Sequence, residues 1–341
     1  MSSPNSSIGQ QGRRNVTLRD IAGAVGVDVS TVSKVLNASG SITVRPETRQ
    51  RILDEVARTG YRPNAAARSL KIQRTGALGM VFPDLTNPLY ATIARGAVRR
   101  ATELGYVMLV AELSDDDPSM LGRLVLERRI DGLIVATAQD VGGGQIHSDA
   151  PIPFVYVNRR VAGANRSVVV DDEAAAALAA ETLIDAGHRR LAFVGGSSDI
   201  DTGRRRRTGF QAACTAAGLE SPLDILRPYS RAGGYEAASD IARADPRPTA
   251  VFASNLLVAI GLLAGLRETG FDVPTDVSVI TLEDEEAAYT APPLTAVWLP
   301  FAHLGATSVD ELHRVLDGQS PRDVVVSDPP RIVERASVRR V

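Results

Sequence analysis

From Gly76 onward the chain alternates short β-branched runs with alanine- and leucine-rich stretches, and this alternation constrains the fold more than any other feature. The runs are GALGMVF (76–82), YVMLVA (106–111), GLIVA (132–136), PFVYV (153–157), RLAFVGG (190–196), TAVFAS (249–254) and DVSVITL (276–282). Each is too short for a helix and too uniformly apolar for a half-exposed strand, so it reads as a strand buried on both faces. Helical stretches at 88–104, 173–187, 203–217, 232–244 and 256–269 lie between most of them. Strand and helix in that order predict parallel sheets covered by helices on both sides. At 341 residues the chain exceeds one typical core. Two doubly wound lobes fit the length better than one very large sheet.

In open parallel sheets the ligand crevice lies beyond the carboxyl ends of the strands. Those ends carry Pro83–Tyr90, Asn158-Arg159-Arg160, Ser197–Arg207, Asn255 and Glu283-Asp284-Glu285-Glu286. Arg206 is the strongest single candidate, because its planar fork can bind paired hydroxyls or a carboxylate. The competing reading is that Arg204–Arg207 is a solvated basic run at a helix start.

Charge separates this body from what precedes it. The formal net charge is −2, yet residues 1–75 hold 12 basic against 5 acidic side chains, and residues 76–341 hold 26 against 35. A head of net +7 on a body of net −9 points to a polyanion partner at one end only. Both lysines, Lys34 and Lys71, lie in that head.

Within the head, residues 1–15 are polar and read as a disordered leader, and residues 16–62 as a helical domain. Thr17 can cap a first helix with Asp20 as its reciprocal partner, and Leu18, Ile21, Ala22 and Val25 fall on one face. Gly26 permits a tight turn. Asp28 or Ser30 then caps a second helix whose inner face carries Val32, Val35 and Leu36. This is a helix-turn-helix pattern, in which the second helix enters the major groove. Its outward residues are Val29, Ser30, Thr31, Ser33 and Lys34, and the bland reading is a solvated face on a small helical domain. Pro46 starts a third helix to about Thr59, with Ile52, Leu53 and Val56 expected to face the first two. Residues 63–75 hold a short alanine-rich helix with one large apolar side chain at its centre, Leu70. Such a helix is marginal alone and suits insertion into a minor groove; the alternative is a plain linker.

These residues carry a resemblance. Thr17-Leu18-Arg19-Asp20-Ile21-Ala22, Val27, Ser30-Thr31-Val32-Ser33, Leu36-Asn37, PETRQRI, GYRPNAAARSL and PDLTNPLY resemble the lactose-repressor and galactose-repressor family of bacterial transcription regulators, from about residue 15 to the end. The resemblance implies a small all-α helix-turn-helix headpiece joined by a hinge helix to an α/β body of two lobes, similar to periplasmic binding proteins. It implies a dimer on a pseudo-palindromic operator, with DNA contacts from Thr17, Val29, Ser30, Thr31, Ser33, Lys34, Asn37, Ala67, Leu70 and Lys71. It places an effector between the lobes at Leu89, Tyr90, Asn158, Thr202, Arg206, Tyr229, Asn255 and Glu283. With three crossovers, lobe one is expected at about 76–158 and 299–318, and lobe two at about 159–298 and 319–341.

The chain also departs from the family. Thr281-Leu282-Glu283-Asp284 stands where a glycine-aromatic-aspartate-aspartate run is common, and Leu256 follows Asn255 where an aspartate is common. The loop between Asn37 and Pro46 is slightly long. Two tyrosines with a few polar groups suit a sugar or sugar derivative better than a nucleoside or small acid. An effector that changes the arrangement of the lobes would change the spacing of paired hinge helices, and thereby DNA affinity.

Other function classes fit less well. His147, His188, His303 and His313 lack metal-ligand spacing, and Gly142-Gly143-Gly144 lacks the Lys-Ser/Thr of a phosphate loop. No nucleophile–base pair is evident, so neither catalysis nor a cofactor is expected. Lone Cys214 fits a reducing cytoplasm. Thr249–Leu266 carries no charge but reads as a buried strand followed by a helix, not a membrane span. The absence of an apolar heptad tail favours a dimer over a tetramer. The rivals are a free-standing solute-binding protein and a DNA-binding protein whose body only dimerises.

Overall fold

A computed structural model describes residues 16–37, 44–61, 74–113, 127, 129–136, 152–196, 199–282 and 285–341. The chain divides into two compact units, Met1–Thr75 and Gly76–Val341.

In the first unit α1 (Leu18–Val25) starts at a capping box. Thr17 Oγ1 accepts from the Asp20 amide at 3.3 Å, and Asp20 Oδ2 accepts from the Thr17 amide at 2.8 Å. Gly26 ends α1 with φ 75°, a left-handed turn that a side chain would strain. α2 (Val29–Asn37) follows at once, its first turn closed on the Asp28 carbonyl. α3 (Pro46–Thr59) opens on a proline, which needs no amide partner in the first turn. Ile21, Ala22, Val25, Val32, Val35 and Ile52 form the buried core. Arg51 Nη2 donates to the Val25 carbonyl at 2.6 Å, tying α3 to the end of α1. Leu53 was expected inside and is 38% exposed. Ile52 occupies the inward position, and the next residue lies about 100° around the helix.

The second unit holds two six-stranded sheets. The first contains β1 (Ala77–Phe82), β2 (Val107–Glu112), β3 (Gly132–Val135), β4 (Phe154–Val157), β5 (Ser167–Val169) and β11 (Val324–Val325), in the order β11-β5-β4-β3-β1-β2 and parallel throughout. The second contains β6 (Leu191–Gly195), β7 (Leu223–Leu226), β8 (Ala250–Ala253), β9 (Ser278–Leu282), β10 (Thr295–Trp298) and β12 (Arg331–Val333). Its order is β12-β10-β9-β8-β6-β7, with only β12 antiparallel. Each sheet thus repeats one doubly wound order, with a switch point between its first and third strands.

Helix α4 (Pro88–Glu103) packs on α9 (Phe301–Leu316) in lobe one. In lobe two α5 (Asp172–Asp185) packs on α6 (Asp201–Ala216), and α7 (Arg231–Arg243) on α8 (Leu256–Glu268). The uncharged Thr249–Leu266 stretch is divided between β8 and α8. Buried His188 bonds Thr249 Oγ1 at 3.0 Å, Ser278 Oγ at 2.9 Å and the Arg339 carbonyl at 3.2 Å. Burial holds its pKa below the ordinary imidazole value. It fastens lobe two instead of facing a crevice.

The lobe boundaries differ from the expected ones. β5 and β11 were assigned to lobe two, but they pair with β4 and with each other in the first sheet. The chain therefore crosses to lobe two after Val170, returns after β10, and crosses again between β11 and β12. Both strands are only two or three residues long and add to the edge of an existing sheet, so their runs carried no separate signal.

Candidate functional site

The exposed face of α2 is the first candidate surface. Val32 and Val35 point into the core, and helical spacing then turns Val29, Ser30 and Lys34 outward, with Val29 40% exposed. Thr31 and Ser33 are half-buried at the edges of that face. A small apolar group, hydroxyls and one ammonium on a helix's first turns can meet a thymine methyl, base edges and phosphates. The Thr17 hydroxyl is committed to its cap, donating to Asp20 Oδ2 at 2.7 Å. Asn37 is the last residue of α2, and its side chain lies outside the described residues, as do Ala67, Leu70 and Lys71.

The second candidate is in the body, where the carboxyl ends of β4, β6 and β8 converge on the start of α6. Gly209 lets α6 approach α5 closely: a Cβ there would lie 2.1 Å from the Glu173 carbonyl oxygen. That contact brings the first turns of α6 against Asp172 at the head of α5. Asp172 is fully buried and binds two arginines, with Oδ1 2.6 Å from Arg206 Nε and Oδ2 2.5 Å from Arg205 Nη1. Arg206 Nη1 also donates to the Ser254 carbonyl at 2.7 Å. Arg205 Nε donates to Asp201 Oδ2 at 3.0 Å, and its Nη1 to the Val170 carbonyl at 3.0 Å. Buried Arg205 and Arg206 thus share the buried carboxylates of Asp172 and Asp201, and exposed Arg204 adds a third cation to Asp201 at 3.1 Å.

The reading of Arg204–Arg207 as a solvated run is corrected by this packing. Arg205 and Arg206 are buried, Arg207 is half-buried and pairs with Asp224 at 2.5 Å, and only Arg204 is exposed. Asp201 is a local partner, three and four residues before Arg204 and Arg205, but Asp172 and Asp224 lie far from the run in sequence, so no local window displays its burial.

Around this cluster stand the other body positions of interest. Thr202 is buried in the first turn of α6. Asn255 is buried and caps α8, its Oδ1 accepting from the Val258 amide at 2.8 Å. Tyr229 lies over Gly196, where a Cβ would come 2.3 Å from its ring. Asn158, after β4, holds a left-handed φ of 64°. The buried atoms Asn158 Oδ1, Tyr229 Oη and Ser254 Oγ have no hydrogen-bond partner among the described residues. Tyr90 is buried in lobe one, its ring centroid 4.9 Å from that of Phe82, so it is seated in the core of that lobe. Glu283 lies outside the described residues.

Leu89 lines a cleft of about 330 Å³ between the lobes, with Thr92, Arg95, Leu256, Glu285 and Trp298 among its other walls. Arg95 Nη2 on α4 reaches Glu285 beyond β9 at 2.8 Å, an exposed ion pair spanning the two lobes. Residues that sequence reasoning missed are therefore Asp172, Asp201 and Arg205, with Arg95 and Trp298 at the cleft. Asp171-Asp172 before an alanine-rich run was legible only as a helix start. Among the described residues no group of three or more His, Cys, Asp or Glu could hold a metal ion, and no helix is long and apolar enough to cross a membrane.

Comparison with known proteins covers both units. Residues 17–64 match the family model for bacterial regulatory proteins of the lacI family, and residues 180–338 match that for a periplasmic binding protein-like domain. The chain is 31% identical to catabolite control protein A of Priestia megaterium, over 95% of this chain and 100% of that one. It is 32% identical to the ribose operon repressor of Escherichia coli (strain K12), over 88% and 93% of the two chains. Among solved structures, a lac repressor dimer bound to operator and an anti-inducer aligns with TM-score 0.80 at 25% identity, covering 96% of this chain and 100% of that one. A complex of the transcriptional regulator CelR with cellobiose aligns with TM-score 0.72 at 28% identity, covering 94% and 99%.

Proposed function

This chain belongs to the lacI family of bacterial regulatory proteins, and from that premise we propose a cytoplasmic repressor that binds a pseudo-palindromic operator as a homodimer and answers to a neutral sugar or sugar derivative held between its lobes. The headpiece supplies the DNA contacts, Val29, Ser30 and Lys34 reading the major groove while Thr31, Ser33 and Asn37 contact phosphates or the groove. Leu70, with Ala67 and Lys71, acts at the minor groove. The role is regulatory and not catalytic, as it is in the relatives.

One observation carries the effector reading. Asn158 Oδ1, Tyr229 Oη and Ser254 Oγ are buried without partners among the described residues, around an arginine already neutralised by Asp172. Leaving such an atom unsatisfied costs about 1–3 kcal/mol, and native proteins rarely do so. A ligand rich in hydroxyls both donates and accepts, and it brings no charge to a balanced site. An anionic ligand would add charge beside the buried carboxylates of Asp172 and Asp201. The sugars named in two of the relatives, cellobiose in a complex with CelR and ribose in a ribose operon repressor, are of the favoured class.

The test is a thermal-shift screen of the full chain against D-ribose, cellobiose, nucleosides and small organic acids. Emission of Trp298, the only tryptophan, serves as a second readout because that residue lines the cleft. A sugar at about 100 times its Kd is expected to add about 2.7 kcal/mol of stability. A response to nucleosides or acids alone would overturn the sugar assignment, and a body silent to all three classes would leave it a dimerisation module. Selection of duplexes from random-sequence DNA by the full chain tests the operator reading. A two-fold-related consensus is expected, and a single asymmetric half-site would reject the paired arrangement.

A further inference from the structure

The buried cluster does more than neutralise Arg206. It runs unbroken from the effector side of lobe two to backbone that belongs with lobe one. Asp172 holds Arg206 and Arg205 on its two oxygens, at 2.6 and 2.5 Å. Arg205 passes on to Asp201 Oδ2 at 3.0 Å and to the Val170 carbonyl at 3.0 Å. Asp201 Oδ2 in turn accepts from the Arg160 amide at 2.9 Å. Val170 directly follows β5 and precedes α5, so it stands where the chain passes from the first sheet to the second lobe. Arg160 lies in the β4–β5 loop, two residues from Asn158 with its left-handed backbone. A series of ion pairs and hydrogen bonds thus leads from Arg206 through Asp172, Arg205 and Asp201 to the Arg160 amide, which lies two residues along the chain from Asn158, the position proposed to face the effector from the other lobe.

We propose that Arg205 is a positioning residue that couples the state of Arg206 to the crossover between the lobes, so that an effector drawing on Arg206 is felt at Val170 and Arg160. This rests on the reading above that Arg206 faces the effector. The physical case lies in the sharing of Asp172. A ligand that competes for Arg206 frees part of the carboxylate, which then draws Arg205 more strongly. Arg205 has one guanidinium with which to serve Asp172, Asp201 and Val170, and its buried Nη2 has no hydrogen-bond partner among the described residues. Any gain at Asp172 changes its hold on Asp201 and the crossover carbonyl. In a low-dielectric site, small displacements of paired charges carry large energies. The Asp172, Arg205 and Asp201 side chains are at most 7% exposed, and an exposed charge, Arg204, joins them only at the other oxygen of Asp201, at 3.1 Å.

Spatial continuity alone does not establish coupling, so the test is a double-mutant cycle read by amide hydrogen exchange, with no ligand or DNA present. The full chain is prepared as wild type, Arg206→Met, Arg205→Met and the double variant, with the Arg160 amide as reporter. Arg206→Met is expected to accelerate exchange at Arg160 by roughly tenfold when Arg205 is present, and by less than about twofold when it is absent, within the range for residues sharing one network. Equal acceleration in both backgrounds, or none in either, would overturn the proposal, because a merely structural Arg205 gives additive effects. Arg205→Lys, which keeps the charge but offers a single donor group, replaces Arg205→Met if the latter does not fold; the same non-additivity is expected. The sugar reading fails separately: a non-additive cycle with a silent sugar screen keeps the coupling and rejects the effector class, and an additive cycle with a clear sugar shift does the reverse.

Discussion

Asp172 Oδ1 lies 2.6 Å from Arg206 Nε, and the two side chains are 0% and 3% exposed. The arginine proposed to bind the effector is thus half of a buried ion pair. Beside that carboxylate a hydroxyl fits better than a second carboxylate, and the pair fixes the guanidinium's orientation before any ligand arrives. Rigid placement of a recognition group lowers the ordering cost of binding.

Removing that carboxylate is expected to be severe. Asp172→Ala leaves Arg205 and Arg206 buried with one counter-ion fewer, and breaking a buried pair typically costs about 3–5 kcal/mol. Asp172→Asn, which keeps the shape and one acceptor, should cost less. Urea denaturation of the full chain measures both, and a loss below about 1 kcal/mol for the alanine variant would mean that water reaches the arginines.

Gly196→Ala should disable the crevice while sparing the headpiece. The added methyl would stand 2.3 Å from the Tyr229 ring, and a rigid ring can only swing away. Overpacking of this kind costs about 1–3 kcal/mol. The expected outcome is a lowered Tm, sugar binding weakened at least about tenfold, and operator binding unchanged in the absence of sugar. Normal sugar binding would place Tyr229 outside the site.

Glu311 should shape the acid limb of stability. It is 4% exposed on α9; burial would raise its pKa, but hydrogen bonds from Arg322 at 2.7 Å and Arg314 at 2.5 Å outweigh that and hold it below its ordinary 4.5. A carboxylate with a lowered folded pKa binds fewer protons in the folded state than in the unfolded one. Its contribution is complete above pH 4.5 and is lost as pH falls through the lower folded value. Glu311→Gln should therefore lower stability at neutral pH and flatten its decline below pH 4.5, as read from denaturation midpoints across pH. An unchanged acid limb would assign that decline to other carboxylates.

On α2, exposed Lys34 and Val29 should fail differently. Both variants are expected to relax discrimination at one base position by about 1–3 kcal/mol. Lys34→Ala also removes a cation, so it should weaken binding to every duplex and reduce the salt slope by about 1, whereas Val29→Ala should leave the slope intact. Fluorescence anisotropy across a salt series separates the two, and an unchanged base preference in the lysine variant would make Lys34 a phosphate contact.

Much of this was legible in the chain because it rests on local rules. The Thr17–Asp20 box, the left-handed Gly26, the α2 face with Val32 inside and Val29 outside, and six of the seven buried strand runs follow from spacing over a few residues; the seventh, β2, is an edge strand with Val107, Leu109 and Val110 exposed, because nothing pairs with or covers its outer side among the described residues. Strand order, lobe membership and ion pairing do not. β5 and β11 are too short to announce a sheet, and Leu53 is apolar yet lies just past the buried stripe of its helix. Arg205 reads as one of four equal arginines, with only Asp201 four residues before it as a local partner, until folding brings Asp172 to it.

The sequence by itself determined two units of opposite charge, a helix-turn-helix with named outward residues, and a doubly wound body with its crevice at the strand ends. Those are periodicities and local conformations, fixed by neighbours within a turn or two. Only the tertiary structure decided which charged groups stay in water and which are buried in pairs. A side chain's dielectric surroundings depend on what the rest of the chain packs against it, and for Arg205 and Arg206 that partner is an aspartate more than thirty residues away.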